Sequence, residues 1–434
     1  MPFLTELDSR AQVKGSRDPL GFVPVWSRFG RRVIGNLTTV SNSVRGFTTL
    51  LLGYYLAEQA RERWGRDVGT TLDLFLKFEQ LAAYCRFHAS EHSDTDFRGV
   101  ERVSQKLAQT PSASVQIGAA QDTQILSNQK IYGLWGLFSV PARNSGLLNQ
   151  EELTLTPPAK EHVERFLLPS LKSRGLKDPA MLLELLKPER VTVHLESRHA
   201  PLASALAGTL RPKVERKEVG FYQRHLLEGG DGDATGGRQQ RLAELIRRLP
   251  TDTDFDMGEL QTVVREADKQ GWDELSSHLD AIGALEPLLV AATQAFALLC
   301  SRDGVELAAV TRELEDRWKG GLHFMHLKKL ESELPTLVQG YSDEPAARRL
   351  VDTAQALSLG DFAQALKLLL EQNAFVMRSR HGAEPWVRLD GGKLKVHFAD
   401  EIDTLSKKSE LPFLWKNTYF INSLKRVATT LVDA

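Results

Sequence analysis

The chain has 434 residues, of which 42% are hydrophobic and 26% charged. Lys and Arg number 55 against 56 Asp and Glu, a net charge of −1. That is ordinary globular composition, enough for roughly two to four domains, and it excludes a uniformly basic nucleic-acid coat and an acidic solvating tail.

In chain order, Pro19, Gly21, Pro24, Gly30 and Gly35 punctuate the first 35 residues, which reads as an irregular arm. From Leu37 the apolar residues Val40, Val44, Phe47, Leu51 and Tyr54 recur three or four apart, predicting a helix. A second helix is predicted over Thr71 to His88, and a third over Asp96 to Leu107 behind the cap cluster Ser93-Asp94-Thr95. From Asp122 to Pro169 the order is helical turns ending before Pro141, Ser145-Gly146-Leu147-Leu148, Leu153-Thr154-Leu155-Thr156-Pro157, then a helix with Val163, Phe166 and Leu167. This order resembles a winged-helix domain, whose wing would return on the Leu-Thr strand. Its helix would display Tyr132, Trp135 and Phe138.

Val191 to Leu195 predicts a short strand and Val219 to Leu227 a short helix. Five glycines fall between Glu228 and Gly237, which predicts a linker and the main boundary. Helices are expected at 238–249, 255–269, 274–300, 303–318, 322–338, 344–358 and 361–378. The last two, joined by Gly360-Asp361, resemble one tetratricopeptide-type hairpin, but repeat stacking needs about three copies. An αα-hairpin within a bundle is therefore expected. Asp390-Gly391 between Trp386–Leu389 and Leu394–Phe398 predicts a β-hairpin, and Trp415 to Val432 a final helix. The expected fold is mainly α and multi-domain, with a winged-helix-like segment and a C-terminal β-hairpin plus helix. The expected divisions are 1–115 for the basic arm and first helices, and 116–228 for the winged-helix-like and mixed region. The Gly-rich linker takes 229–237, the helical bundle 238–380, and the hairpin and terminal helix 381–434.

Two distant cysteines, Cys85 and Cys300, make no disulfide framework and suit a reducing compartment. The N-terminal stretch has no apolar signal core, and the run Phe47 to Ala57 is about half of what spanning a bilayer requires. A cytoplasmic protein without membrane contact is expected.

Three constellations bear on chemistry. Arg10, Lys14, Arg17, Arg28, Arg31, Arg32 and Arg45 stand against Asp18 alone between residues 10 and 45, with Phe22, Trp26 and Phe29 interleaved. Arginine with aromatics suits phosphate contact and base stacking, and equally a protein interface. The bland alternative packs the aromatics on the body and pairs the arginines with carboxylates. Lys130 and Arg143 are the basic residues in the middle of the winged-helix-like segment. The candidate set for nucleic acid or a partner is thus Arg17, Trp26, Arg28, Arg31, Arg32, Arg45, Lys130 and Arg143. Second, His88-x-x-Glu91-His92 matches inverted zinc peptidases. On a helix the two imidazoles would share a face, with Glu91 as base and Cys85 one turn earlier as a further ligand. A polar helix end is the simpler reading. His323 and His326 form a weaker pair. Third, Asp231-Gly232-Asp233 opens like a calcium loop but has Leu242 where a bidentate Glu belongs, and Gly230, Gly232 and Gly236 miss the dinucleotide spacing. No phosphate-binding Gly-x4-Gly-Lys-Ser/Thr loop and no Gly-x-Ser-x-Gly elbow is present. No cofactor is expected, and any ATPase would be a partner.

Three segments together carry a wider resemblance: Arg17–Gly21 with Arg31–Leu37, Ser127–Leu137, and Leu411–Phe420. They resemble bacterial proteins encoded beside helicases, ATPases and nucleases in antiviral defence clusters. The resemblance implies a setting and brings no catalytic residue with it. The expected function is a non-enzymatic subunit of an antiviral or DNA-processing complex. It would bind DNA or a partner ATPase, helicase or nuclease, and its helical C-terminal part would serve as a scaffold. The alternatives are a metal-dependent hydrolase using His88, Glu91 and His92, and a winged-helix transcription regulator.

Overall fold

The computed structural model describes residues 18–65, 69–187, 189–251, 253–380, 382–399 and 405–432. In chain order its helices begin with α1 (Phe22–Arg31), α2 (Val44–Trp64), α3 (Thr71–Ala89), α4 (Val100–Ala108), α5 (Gln129–Tyr132), α6 (Leu134–Asn144) and α7 (Pro157–His162). Next come α8 (Leu168–Ser173), α9 (Ala180–Leu185), α10 (Ala200–Thr209), α11 (Arg216–Tyr222), α12 (Arg238–Ile246), α13 (Met257–Lys269) and α14 (Asp273–Cys300). The last are α15 (Leu307–Arg317), α16 (Leu327–Ser332), α17 (Leu334–Tyr341), α18 (Glu344–Leu359), α19 (Phe362–Ser379) and α20 (Ile421–Val432). The strands are β1 (Ser114–Ile117), β2 (Val191–His194), β3 (Val387–Asp390) and β4 (Lys393–Val396). The fold is mainly α, and β3–β4 is the C-terminal hairpin, followed by the terminal helix α20.

Local chemistry sets the helix ends. The α3 start is a capping box: the Thr70 side chain accepts from Asp73 N, and Asp73 accepts from Thr70 N. Helix α2 begins at Val44, not Leu37, because Ser43 is the N-cap and its hydroxyl accepts from Gly46 N. The expected arm is helical from Phe22 onward. Asp18 accepts from Phe22 N and Val23 N, and Pro24 lies in the first turn, where a missing N–H costs nothing. The helix expected at 322–338 is two, α16 and α17, because Pro335 cannot continue a preceding helix. Helix α20 starts at Ile421 and not Trp415, since Glu286 takes the Lys416 and Asn417 amides in a segment without regular secondary structure.

The chain divides into two interleaved units: residues 34–253 with 420–434, and residues up to 33 with 254–419. This replaces the expected serial division. Residues 229–237 lie inside the first unit and are not a boundary. Asp233 accepts there from Thr235 N, Thr235 Oγ1 and Gly237 N, and Thr235 is buried. Gly230 has φ +67°, and a Cβ on it would lie 2.5 Å from the Ser145 carbonyl oxygen, so the glycine permits a close backbone approach.

In the first unit α2 and α3 are buried along most of their length, and α10 packs on α3. Gly46 and Gly53 bring Phe138 and Phe75 onto the α2 backbone; a Cβ would meet those rings at 2.5 Å and 2.8 Å. Strands β1 and β2 pair antiparallel, Ser114 opposite His194. Between α6 and α7 the expected wing is a turn closed by a single antiparallel bridge, Leu148 to Leu155. Helix α20 packs on α12 and on the π-helical turn Gln223–Leu227.

In the second unit α14 is the central helix. By length and composition it is the one described helix able to cross a membrane, yet 78% of its most apolar window is buried inside the fold. Helices α13 and α19 pack on it, as does α1, which also packs on α17. Helices α18 and α19 form an αα-hairpin. Gly360 at φ +77° ends α18, and Asp361 caps α19 by accepting from Gln364 N.

Candidate functional site

The arm's aromatic residues turn inward, while its arginines range from exposed Arg28 to fully buried Arg45. Trp26 is buried and meets Tyr419 edge-on at 5.9 Å. Arg28 donates twice to Gln339 Oε1, and Arg32 donates to Glu333 at 2.6 Å and to His278. Arg31 is half-buried, and desolvation lowers its pKa from the ordinary value. Arg45 is wholly internal: Nη1 and Nη2 meet the two Glu218 oxygens at 2.9 and 3.0 Å, and Nε and Nη2 donate to the Arg211 and Lys213 carbonyls. Its side chain is 1% exposed, so it contacts neither phosphate nor a partner. Arg17 lies outside the described residues. The sequence excess of charge at 10–45 thus resolves, for Arg32 and Arg45, into ion pairs within the chain, while Arg28 stays exposed on Gln339.

The His-x-x-Glu-His geometry also fails. Helix α3 ends at Ala89, and Glu91 and His92 have φ +51° and +71°. His92 therefore leaves the face of His88 and stacks on Phe87 at 4.6 Å. Cys85 is fully buried, and burial pushes its thiol pKa well up, away from the thiolate a metal needs. Among the described residues no three His, Cys, Asp or Glu side chains are grouped for a metal.

Two features remain, on opposite sides of α6. Outside, Ile131, Tyr132 and Val140 are 52%, 54% and 44% exposed. Gly136 lies against the Ile131 and Lys130 carbonyls, and Val140 follows one turn later on the same helix. Lys130, in α5, is exposed, and Arg143, in the last turn of α6, is half-buried. The aromatics expected on this surface divide: Tyr132 is on it, whereas Trp135 stacks on Tyr54 at 5.1 Å and Phe138 packs on Phe47 at 5.0 Å. Arg143 also lines a cavity of about 350 Å³ with Asn144, Gly229 and Gly232.

Inside, Leu134 and Phe138 of α6 help wall a cavity of about 280 Å³ between the start of α2 and the second half of α3. Val40 and Phe97 add apolar wall; Ser43, Glu79, Arg86, Asp96 and Arg98 bring polar groups, as do Asn42 and three threonines. Glu79 is buried and caps α6: Oε1 accepts from Leu134 N at 2.7 Å and Oε2 from Gln129 Nε2 at 2.7 Å. Gly133 makes room for it, since a Cβ there would stand 2.7 Å from the carboxylate. Burial pushes the Glu79 carboxyl up to about 7, against the Leu134 and Gln129 hydrogen bonds and the Arg98 charge, which pull it down. Arg86 holds Asp94 through two bonds, and Asp96 accepts from Ser43.

Residue-by-residue motif reading missed Glu79 and Arg98. A signal for Glu79 was present: Leu74 to Cys85 is apolar nearly all round, and such a helix is buried on every face, its carboxylate included. Compared with protein-family models, curated proteins and solved structures, the chain matches none of them.

Proposed function

We propose that this chain is a non-enzymatic docking subunit that holds a partner protein on the outer face of α5 and α6, within an antiviral or DNA-processing assembly. The observation that carries this reading is the exposure of three large apolar side chains, Ile131 and Tyr132 of α5 and Val140 of α6, on two helices that also carry Lys130 and Arg143. A few large apolar side chains with basic neighbours at the rim are the anatomy of a protein interface. A duplex-reading helix instead presents polar and basic tips. The ion pairs of Arg32 with Glu333 and of Arg45 with Glu218 take support from a DNA-binding arm. The setting follows from the resemblance to proteins encoded beside helicases, ATPases and nucleases, which supplies the class of partner.

The test is co-expression with each neighbouring gene product, using the wild type and an Ile131→Asp/Val140→Asp variant. The reading expects one defined complex by size-exclusion chromatography, lost in the variant while its unfolding free energy stays within about 0.5 kcal/mol of wild type, as is usual for exposed substitutions. A complex that survives both aspartates places the interface elsewhere.

A further inference from the structure

We propose that the cavity between α2 and α3 is a binding site for a small organic carboxylate with an apolar body, the carboxylate meeting Arg98 and the body lying against Phe97, Leu134 and Phe138. The inference is independent of what docks on the outer face of α6.

Polar satisfaction inside the cavity carries the argument. Both Glu79 oxygens already accept hydrogen bonds, from Leu134 N and Gln129 Nε2. Asp96 accepts from Ser43, and Arg86 is held by Asp94. Among the described residues, Arg98 makes no hydrogen bond or ion pair; the one charge acting across the cavity on Glu79 is its own. The unpaired charge is therefore one half-buried guanidinium, a group whose planar fork suits a carboxylate, and the half-buried Asn42 amide, also without a hydrogen bond among the described residues, stands on the same wall. Of the remaining wall, Val40, Phe97, Leu134 and Phe138 are apolar, and Asn42 and three threonines are polar. Apolar walls with a few convergent polar groups are the usual form of a small-ligand pocket. A volume of about 280 Å³ suits a compact aryl or short alkyl acid. A cation or metal ion would find no carboxylate without donors already on it. A phosphate dianion would stand beside both Glu79 and Asp96. Glu79, near 7, is only partly charged at neutral pH and repels a single negative charge weakly.

The probe is phenylacetate, titrated into the full chain by saturation-transfer NMR and calorimetry, with phenylacetamide as its uncharged counterpart and inorganic phosphate as the rival anion. We expect saturable millimolar binding of phenylacetate, at least about tenfold weaker for phenylacetamide and for Arg98→Gln, since each loses a charge-assisted pair. Arg98→Lys keeps the charge and should bind within a few-fold of wild type. Ala83→Phe fills the cavity without touching the charge and should abolish binding. Near-ultraviolet circular dichroism of each variant checks the fold. No saturable phenylacetate binding to wild type, equal affinity for the amide, tighter binding of inorganic phosphate, or unchanged binding in Ala83→Phe would each overturn the proposal.

Discussion

Arg45 and Glu218 meet as a bidentate ion pair with side chains 1% and 4% exposed, bringing together residues 173 positions apart. The same guanidinium donates to the Arg211 and Lys213 carbonyls, so it ties the first turn of α2 to the approach to α11. A charge this deep is stable only with its counter-charge and its hydrogen bonds in place.

Removing one partner strands the other. Glu218→Ala is expected to destabilise the first unit by about 3–5 kcal/mol, the usual cost of an uncompensated buried charge. The measurement is the denaturant midpoint followed by Trp135 fluorescence or by hydrogen exchange of α2 amides. A loss under about 1 kcal/mol would mean that water reaches the site and the pair is a surface bridge.

Glu79 predicts a pH dependence with a definite sign. Its carboxyl titrates near 7 in the folded chain, above the ordinary 4.5. The folded state therefore holds the proton more tightly than the unfolded state. The contribution is fully present below about 4.5 and is lost as pH rises through about 7, where it levels off. At about 1.4 kcal/mol per unit the loss is on the order of 3 kcal/mol. The buried imidazoles oppose this slope: burial pushes His162 down to about 3 and lowers His225. The comparison is therefore between wild type and Glu79→Gln at pH 5 and pH 8. The variant should lose the acid-side gain, and parallel curves would remove Glu79 as the titrating group.

The Gly-rich segment should resist protease. Asp233 gathers Thr235 and Gly237, and Gly230 rests on the Ser145 carbonyl, so 229–237 cannot adapt to a protease cleft without breaking these bonds. Limited proteolysis should leave it intact in the wild type. In Asp233→Ala, which frees three donors, cleavage there should appear early. Early cleavage of the wild type at these glycines would restore the linker reading.

Periodicity along the chain suffices for the long helices and for the hairpin. The apolar spacing marks 71–88, 274–300 and 361–378, and the helices run Thr71–Ala89, Asp273–Cys300 and Phe362–Ser379. Asp390-Gly391 marks the β3–β4 turn, and Gly391 and Gly392 take the positive φ that such a turn demands. These features rest on interactions within a few residues, so nearby side chains decide them. The fate of the charges is different. Nothing near Arg45 announces Glu218, nothing near Arg32 announces Glu333, and β1 finds β2 across more than seventy residues. The Gly-rich stretch has the composition of a linker and becomes an ordered loop because Ser145, far upstream, lies against Gly230. Whether an arginine meets solvent or a carboxylate, and whether glycine gives freedom or close approach, depends on what long-range packing brings beside it. The α2–α3 cavity, with Glu79 satisfied and Arg98 not, exists only once that packing is complete.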